Sequence, residues 1–503
     1  MHKSRKVILL IMDGWGLGKP DKFNAIDNAK KPNYDKLVRD FHNTRLFSHG
    51  AYVGLPDDQF GTSEINHQVI GSGRVIMQDL PRIDNAIKSG EFFTNKVMVD
   101  LCQRVRDNGK ALHIVGIISD GKVHSSLEHL EALIKLAQNE GVKKLNIHAF
   151  SDGRDTPPKS VTKYLEAVEK MLAGYPEAQL VTLQGRSFLD RDRDWDKTAQ
   201  AVDLLVEGKG MKLANFQAAI NLSYNQNITD EYFQQFIFSG NGKIQAGDSV
   251  FFTHYRSDRL YQVVKALKDR AIKNISIGTF IEISEDIKTE MAYPRPVVTH
   301  SLAETISLAG MKQYHVTETE KYTHLTYFFN CGQEKAFPGE EWKLYSSEKF
   351  VKPYYQYLPT MQNYVVTQDI LMQIEKNKYN FIVANFCSAD MVGHTGDYSA
   401  AVVSAQSVDF CLGKIFEKIK DRLDEYVVMI TADHGNSDMM WDYGNEQPHT
   451  QHTANPVPFI FISDLNVKLD QKEGLQDIAP TILDVMNLEI PKVMVGKSLL
   501  LKP

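Results

Sequence analysis

Several short stretches, far apart in the chain, carry the residue types that bind divalent cations. Asp433 and His434 close the run VVMITADHGN at Val427–Asn436. Asp390 and His394 stand four residues apart in DMVGH, a spacing that directs both side chains to one point of a helical turn. Asp13 ends the run KVILLIMDG, and His452 lies three residues after His449. Carboxylate, imidazole and hydroxyl oxygen without thiolate suit two metals of the Mn²⁺ or Zn²⁺ type and argue against a structural zinc. Taken singly, each stretch reads two ways. Asp433–His434 is a metal-type pair or a hydrogen-bonded strand end, and Asp13 is a ligand or a turn aspartate.

Ser63 offers a nucleophile. In FGTSEINHQVIGSGR at Phe60–Arg74, the pattern predicts a short helix over Glu64–Ile70 ended by Gly71, which puts Ser63 at its N-cap. As a cap, Ser63 would only bond backbone N–H groups. As a nucleophile, it would have its alkoxide and then a phosphoryl group stabilised by the helix N-terminus and a nearby metal. Two close cations with a serine between them suit phosphoryl transfer.

A second set is basic. Arg154, Arg186, Arg191, Arg256 and Arg259 each follow a predicted strand, so they should converge on one edge of a sheet. Guanidinium groups match carboxylate or phosphate bidentately, and several together describe a small polyanion site. The alternative is surface arginines paired with Asp152, Asp190 and Asp258. Lys321 lies in ETEKYTHLT, beside a predicted strand Leu325–Phe329.

These groups need strand ends to hold them. Lys6–Met12, Phe381–Phe386 and the apolar run before Asp433 read as buried strands. Between Met77 and Pro296, runs at Leu112–Ile118, Leu145–Phe150, Leu180–Leu183 and Val250–Tyr255 end in polar clusters, with helical patterns at Leu127–Gln138 and Val161–Leu172. This alternation predicts an α/β protein with largely parallel sheets. Ligand-type residues at both ends of the chain and an arginine-rich middle predict two α/β domains. One is a metal domain from residues 1–77 and 297–503, and the other is inserted as residues 78–296. Hinges are expected near Met77–Asp84 and Glu285–Thr299, with Glu285–Pro296 as a charged linker.

Composition narrows the class. With 503 residues, 43% hydrophobic and 24% charged, the chain matches a globular protein of several cores, and a net charge of -6 gives no reason to expect nucleic acid. Cys102, Cys331, Cys387 and Cys411 are too dispersed for a disulfide framework or zinc-cysteine site. The apolar run after the basic His2–Lys6 is shorter than a signal-peptide core, and nothing approaches a membrane span. A cytoplasmic monomer acting on a small molecule is expected.

Taken together the motifs resemble the cofactor-independent (2,3-bisphosphoglycerate-independent) phosphoglycerate mutases of the alkaline phosphatase superfamily, along essentially the whole chain. They are MDGWG at Met12–Gly16, SE-x-x-H at Ser63–His67, GRV at Gly73–Val75 and SDG-x-VHS at Ser119–Ser125. DGRDTPP at Asp152–Pro158, DRD at Asp190–Asp192, R-x-DR at Arg256–Arg259 and TEKY at Thr319–Tyr322 follow. DMVGH at Asp390–His394, TADHGN at Thr431–Asn436 and HT-x-NPVP at His452–Pro458 complete the set.

The resemblance implies an isomerase of glycolysis and gluconeogenesis. It would interconvert 3-phosphoglycerate and 2-phosphoglycerate through a phosphoserine on Ser63, with two divalent metals and no 2,3-bisphosphoglycerate. Mn²⁺ is expected, and Zn²⁺, Co²⁺ or Fe²⁺ accept similar ligands. Asp390, His394 and His452 would hold one metal; Asp13, Ser63, Asp433 and His434 the other. His124, Arg154, Asp155, Arg186, Arg191, Arg256, Arg259 and Lys321 would hold substrate, with Asp155 as acid and base for the glycerate hydroxyls. A metal-dependent phosphatase or a phosphopentomutase of the same superfamily is the alternative. The complete set of nucleophile, ligands and anion-binding groups argues against a non-catalytic metal- or anion-binding protein. The chain departs from the family pattern in three places. Asn66 stands where the family has Gly, the Arg186–Arg191 segment is one residue short, and an aspartate is replaced within Val351–Pro359.

Overall fold

The computed structural model describes residues 4–348, 355–471 and 474–501. His2 and Lys3 of the basic N-terminus, and 351–354 of the departing segment, lie outside the described residues. The chain forms two compact units, Met1–Gln78 with Val297–Pro503, and Asp79–Pro296.

The unit built from both ends of the chain is organised on a seven-stranded sheet. Its centre is the strand Lys6–Met12, parallel to Phe381–Phe386 on one side and to Tyr426–Thr431 on the other. Gln313–Glu318 and Glu340–Tyr345 extend the parallel part, and Val457–Ile462 and His42–Leu46 add antiparallel strands at the other edge. Val7–Met12 are all buried, as a strand covered on both faces requires. The register matters for chemistry. Ile11 lies opposite both Asn385 and Thr431, so Asp13, the turn after Phe386 and Asp433 emerge together at the carboxyl edge.

The inserted unit carries an eight-stranded sheet centred on Ala111–Ile117 and Lys144–Ser151, flanked by Ala178–Gly185 on one side and Ser249–Phe252 on the other. All neighbours are parallel except Ala178–Gly185 with Phe236–Ile237. Both units are therefore α/β, as the alternation predicts.

Local expectations need three corrections. The boundary between the units, Gln78/Asp79, falls within the Met77–Asp84 segment, but most of that segment is helical, since a helix begins at Asp79 and runs to Ser89, with Pro81 in the first turn where its missing N–H costs nothing. The charged Glu285–Pro296 segment is partly strand: Glu290–Met291 pairs with Ser276–Thr279 at the sheet edge. His324–Phe328 is a π-helical turn rather than a strand. Leu325 and Phe329, four apart, are both fully buried, and that helical spacing wins over the β-branched and aromatic composition.

Candidate metal centre and active site

The helix of the serine motif spans Ser63–Ser72 and ends at Gly73 in the left-handed conformation, two residues beyond the expected Gly71 stop. Its N-cap is Thr62, whose side chain accepts from the Ile65 N–H. Ser63 is therefore the first helical residue and not the cap, which leaves its hydroxyl free for other partners. That hydroxyl is 2.5 Å from Lys321 Nζ and 2.9 Å from His434 Nε2, and the residue is buried.

Around it lie the acids. Lys321 Nζ is 3.0 Å from Asp13 Oδ1 and 2.8 Å from Asp390 Oδ2. Asp13, Asp433 and His434 offer ligand atoms that all lie within 4.8 Å of one another, and so do Asp390, His434 and His452. His394 Nε2 is 3.2 Å from both Asp390 Oδ1 and His452 Nε2. All seven expected ligand residues thus come together, with His434 common to both groups. His449 belongs to neither; its N–H donates to the Met440 carbonyl.

Backbone and amide groups fix this constellation. His394 Nδ1 meets the Thr450 carbonyl at 2.7 Å, and His452 Nδ1 meets the Gly61 carbonyl at 2.8 Å. Protonated Nδ1 atoms donating to these carbonyls turn both Nε2 lone pairs inward, the arrangement of metal-binding histidines. Asn385 donates to Asp13 Oδ2 and Asn436 to Asp390 Oδ1, at 2.7 and 2.9 Å. Gly14 has φ +76, and a Cβ there would lie 2.7 Å from the Asp390 backbone. Only glycine lets the Asp13 and Asp390 turns approach so closely.

The electrostatics fit divalent cations. Three carboxylates that are at most 1% exposed face one ammonium. Burial and the mutual repulsion of Asp13 and Asp433 raise the Asp13 carboxyl, and burial likewise raises Asp433. Burial opposes the Lys321 charge, but Asp13, Asp390 and Asp433 outweigh it and hold the ammonium well above its ordinary range. Burial holds His434 well below its ordinary range, and so neutral. Asp433 Oδ2 and His434 Nδ1 are buried and make no hydrogen bond, and Asp13 Oδ1, also without one, has its ion pair with Lys321. Buried acceptors and surplus negative charge of this kind are costly unless a cation takes them up. The donor set of oxygen and imidazole nitrogen matches Mn²⁺- or Zn²⁺-type ions.

In the inserted unit the basic residues gather at the carboxyl edge of the other sheet. Arg186 is 1% exposed and its Nη1 lies 2.5 Å from both Asp152 Oδ1 and Asp155 Oδ2. Arg191 Nη1 and Arg256 Nη2 share Asp258 Oδ2 at 3.0 and 3.7 Å, and His124 Nδ1 is 3.5 Å from the other oxygen. Arg259 is buried and donates to the Leu189 carbonyl; Arg154 pairs with Glu231 and is 54% exposed. Asp152 and Asp258 take arginine partners, while Asp190 instead accepts the N–H groups of Asp192 and Asp194. Burial first, and then the cationic Arg186, Arg256 and Arg259, lower His124 to about 4 against the opposing pull of the Asp258 carboxylate.

Sequence reasoning missed the residues that orient the ligands. Asn385 is the sole polar side chain in FIVANF, and a lone amide inside a buried strand was the available signal. Asn436 stands within TADHGN. His67, fully buried, meets the Ser63 carbonyl at 2.9 Å and Asp433 Oδ2 at 3.4 Å, although only its place in the serine motif drew notice.

The chain is similar to known proteins along its whole length. The metalloenzyme superfamily model matches residues 5–490. The 2,3-bisphosphoglycerate-independent phosphoglycerate mutase of Moorella thermoacetica is 41% identical over 99% of both chains. That of Clostridium novyi is 40% identical over 98% of this chain and 99% of its own. Among solved structures, Leishmania mexicana phosphoglycerate mutase, crystallised at low cobalt concentration, superposes with a TM-score of 0.65 at 29% identity, covering 99% of this chain and 98% of its own. On full-length identity and a shared superfamily, the chain belongs to the 2,3-bisphosphoglycerate-independent phosphoglycerate mutases.

Proposed function

We propose that this chain interconverts 3-phosphoglycerate and 2-phosphoglycerate through a phosphoserine on Ser63, with two divalent cations and no added 2,3-bisphosphoglycerate. The observation that carries the reading is the Ser63 hydroxyl, freed from capping by Thr62 and set between Lys321 Nζ and His434 Nε2. Asp13, Ser63, Asp433 and His434 would hold one cation, and Asp390, His394 and His452 the other. Cations so bound, with Mn²⁺ favoured over Zn²⁺, Co²⁺ or Fe²⁺, would lower the pKa of the serine hydroxyl and balance charge on phosphoryl oxygens.

Ser63 Oγ, ionised before it attacks, bonds to phosphorus as the bond to the C3 oxygen of 3-phosphoglycerate breaks and leaves again as the alkoxide on the return transfer, while Lys321 balances charge on the transferring oxygens. Asp155, entering in its protonated form, gives that proton to the departing C3 oxygen and takes one back from the C2 hydroxyl, whose oxygen receives the phosphoryl group. Its contact with Arg186 holds the side chain in place. His124, Arg154, Arg186, Arg191, Arg256 and Arg259 bind the carboxylate and phosphoryl oxygens. The same reading takes the enzyme as a cytoplasmic monomer; no helix among the described residues is long and apolar enough to cross a membrane.

The test is to incubate purified protein with Mn²⁺ and 3-phosphoglycerate and to follow 2-phosphoglycerate and free phosphate together. Mutase activity without added bisphosphoglycerate, lost on thorough chelation and restored by Mn²⁺, is expected. Predominant phosphate release, or activity that survives chelation, would refute the proposal.

A further inference from the structure

Asn66 lies one turn along the helix from Ser63, so the two side chains share a face. It is fully buried. Its Nδ2 donates to two backbone carbonyls, Asp433 O at 2.7 Å and Ser48 O at 3.0 Å. Both amide hydrogens are therefore spent on chain segments remote from the serine helix. One of those segments is the turn that presents Asp433 and His434.

The same amide lies against Gly61. A Cβ built on Gly61 would sit 2.3 Å from Asn66 Nδ2 and 2.0 Å from the Ser48 carbonyl, so only glycine fits beside this amide. The Gly61 carbonyl, in turn, meets His452 Nδ1. Asn66 thus touches backbone that orients a member of each ligand group, and it does so from the helix that carries Ser63. A side chain with no donor there would leave the Asp433 and Ser48 carbonyls without these bonds in a site closed to water, which costs more than the bonds themselves are worth. The chemistry at Ser63 depends on spacing: misplacing a reacting group by about 1 Å costs about 100-fold in rate.

We infer that Asn66 is a positioning residue, whose amide fixes the distance between the Ser63 hydroxyl and the Asp433–His434 and His452 ligands. The inference rests on the function proposed above. It adds that the brace acts on the metal centre and on turnover rather than on substrate affinity.

The experiment compares wild type with Asn66→Ala, which removes both donors without adding charge, and Asn66→Ser, which keeps one. Three quantities are read: kcat and KM for 3-phosphoglycerate with saturating Mn²⁺, Co²⁺ affinity by direct titration, and the visible spectrum of the Co²⁺-loaded protein. Far-UV circular dichroism at the assay temperature reports folding. For Asn66→Ala the expected result is a kcat about 100-fold lower with KM within about threefold, Co²⁺ binding about 10–100-fold weaker, and a changed cobalt spectrum. Asn66→Ser should fall between it and wild type in each.

If Asn66→Ala fails to fold, Asn66→Ser carries the test alone, and a kcat about 10-fold lower with a shifted cobalt spectrum supports the inference. Folded variants with wild-type kcat and cobalt spectrum overturn it. A loss confined to KM, or to thermal stability, overturns it as well. Failure of the underlying reading is separable, because then wild type itself shows no metal-dependent mutase activity.

Discussion

The carboxyl edges of the two sheets hold opposite charges in different states of burial. In the unit built from both termini, Asp13, Asp390 and Asp433 are at most 1% exposed and are tied to buried amides of Asn385, Asn436 and the Asp433–His434 turn. In the inserted unit the arginines range from Arg186, sealed between two carboxylates, to Arg154 and Arg256 with about half of their side chains exposed. On the function proposed above, the contrast follows from what each set would bind. A carboxylate buried without a cation gains a proton, so burying three of them makes a site that strongly favours a divalent ion. A guanidinium stays charged in water or out of it, so arginines can wait in solvent and still capture a carboxylate or phosphate.

The largest expected effect separates the edges at the nucleophile. Ser63→Ala should fold and reduce turnover on the order of 10⁴-fold or more, because it removes the group proposed to accept the phosphoryl. Near-wild-type kcat in a coupled assay would take Ser63 out of the mechanism. At the other edge, Arg256→Ala should raise KM for 3-phosphoglycerate about 10–100-fold, the worth of one charge-assisted hydrogen bond. Its Mn²⁺ affinity should match wild type, and a large loss of metal binding in titration would break the comparison.

The smallest effect concerns pH. His254, fully buried among His124, Arg186, Asp258 and Arg259, is lowered by burial first, then by its cationic neighbours, from an ordinary 6.5 to about 3. Its folded pKa lies below the unfolded one, so the unfolded chain binds the extra proton first. Stability is then lost as pH falls from about 6.5 toward 3. The melting temperature of wild type should drop between pH 7 and pH 5, and His254→Gln should shrink that drop. An identical drop in the variant would mean that other groups govern it.

Much of the fold was legible because its signal is local. Lys6–Met12, Phe381–Phe386 and Val161–Leu172 form the elements their periodicity predicts, with the same bounds. The errors arise where composition and burial disagree. LTYFF has the composition of a strand, yet the burial of Leu325 and Phe329 selects a π-helical turn. Glu290–Met291 looks like linker because an edge strand needs no apolar run. At the site, residue types at strand ends were readable from motif and spacing, whereas the amides that orient them were not. Asn385 and Asn436 look like ordinary polar residues until their partners are known, and Asn66 shows only as a departure from the family pattern, without its role.

The sequence by itself determined the α/β class, the strand ends that carry Asp13, Asp390 and Asp433, and the family, because apolar runs and motifs are written in neighbouring residues. Only the tertiary structure decided that Thr62 and not Ser63 caps the helix. It alone showed His434 common to both ligand groups, and Arg186 engaged by Asp152 and Asp155. Ser63 and His434 are 371 residues apart in the chain and meet at 2.9 Å. That meeting depends on how parallel strands from opposite ends of the sequence set their register, which no single stretch encodes.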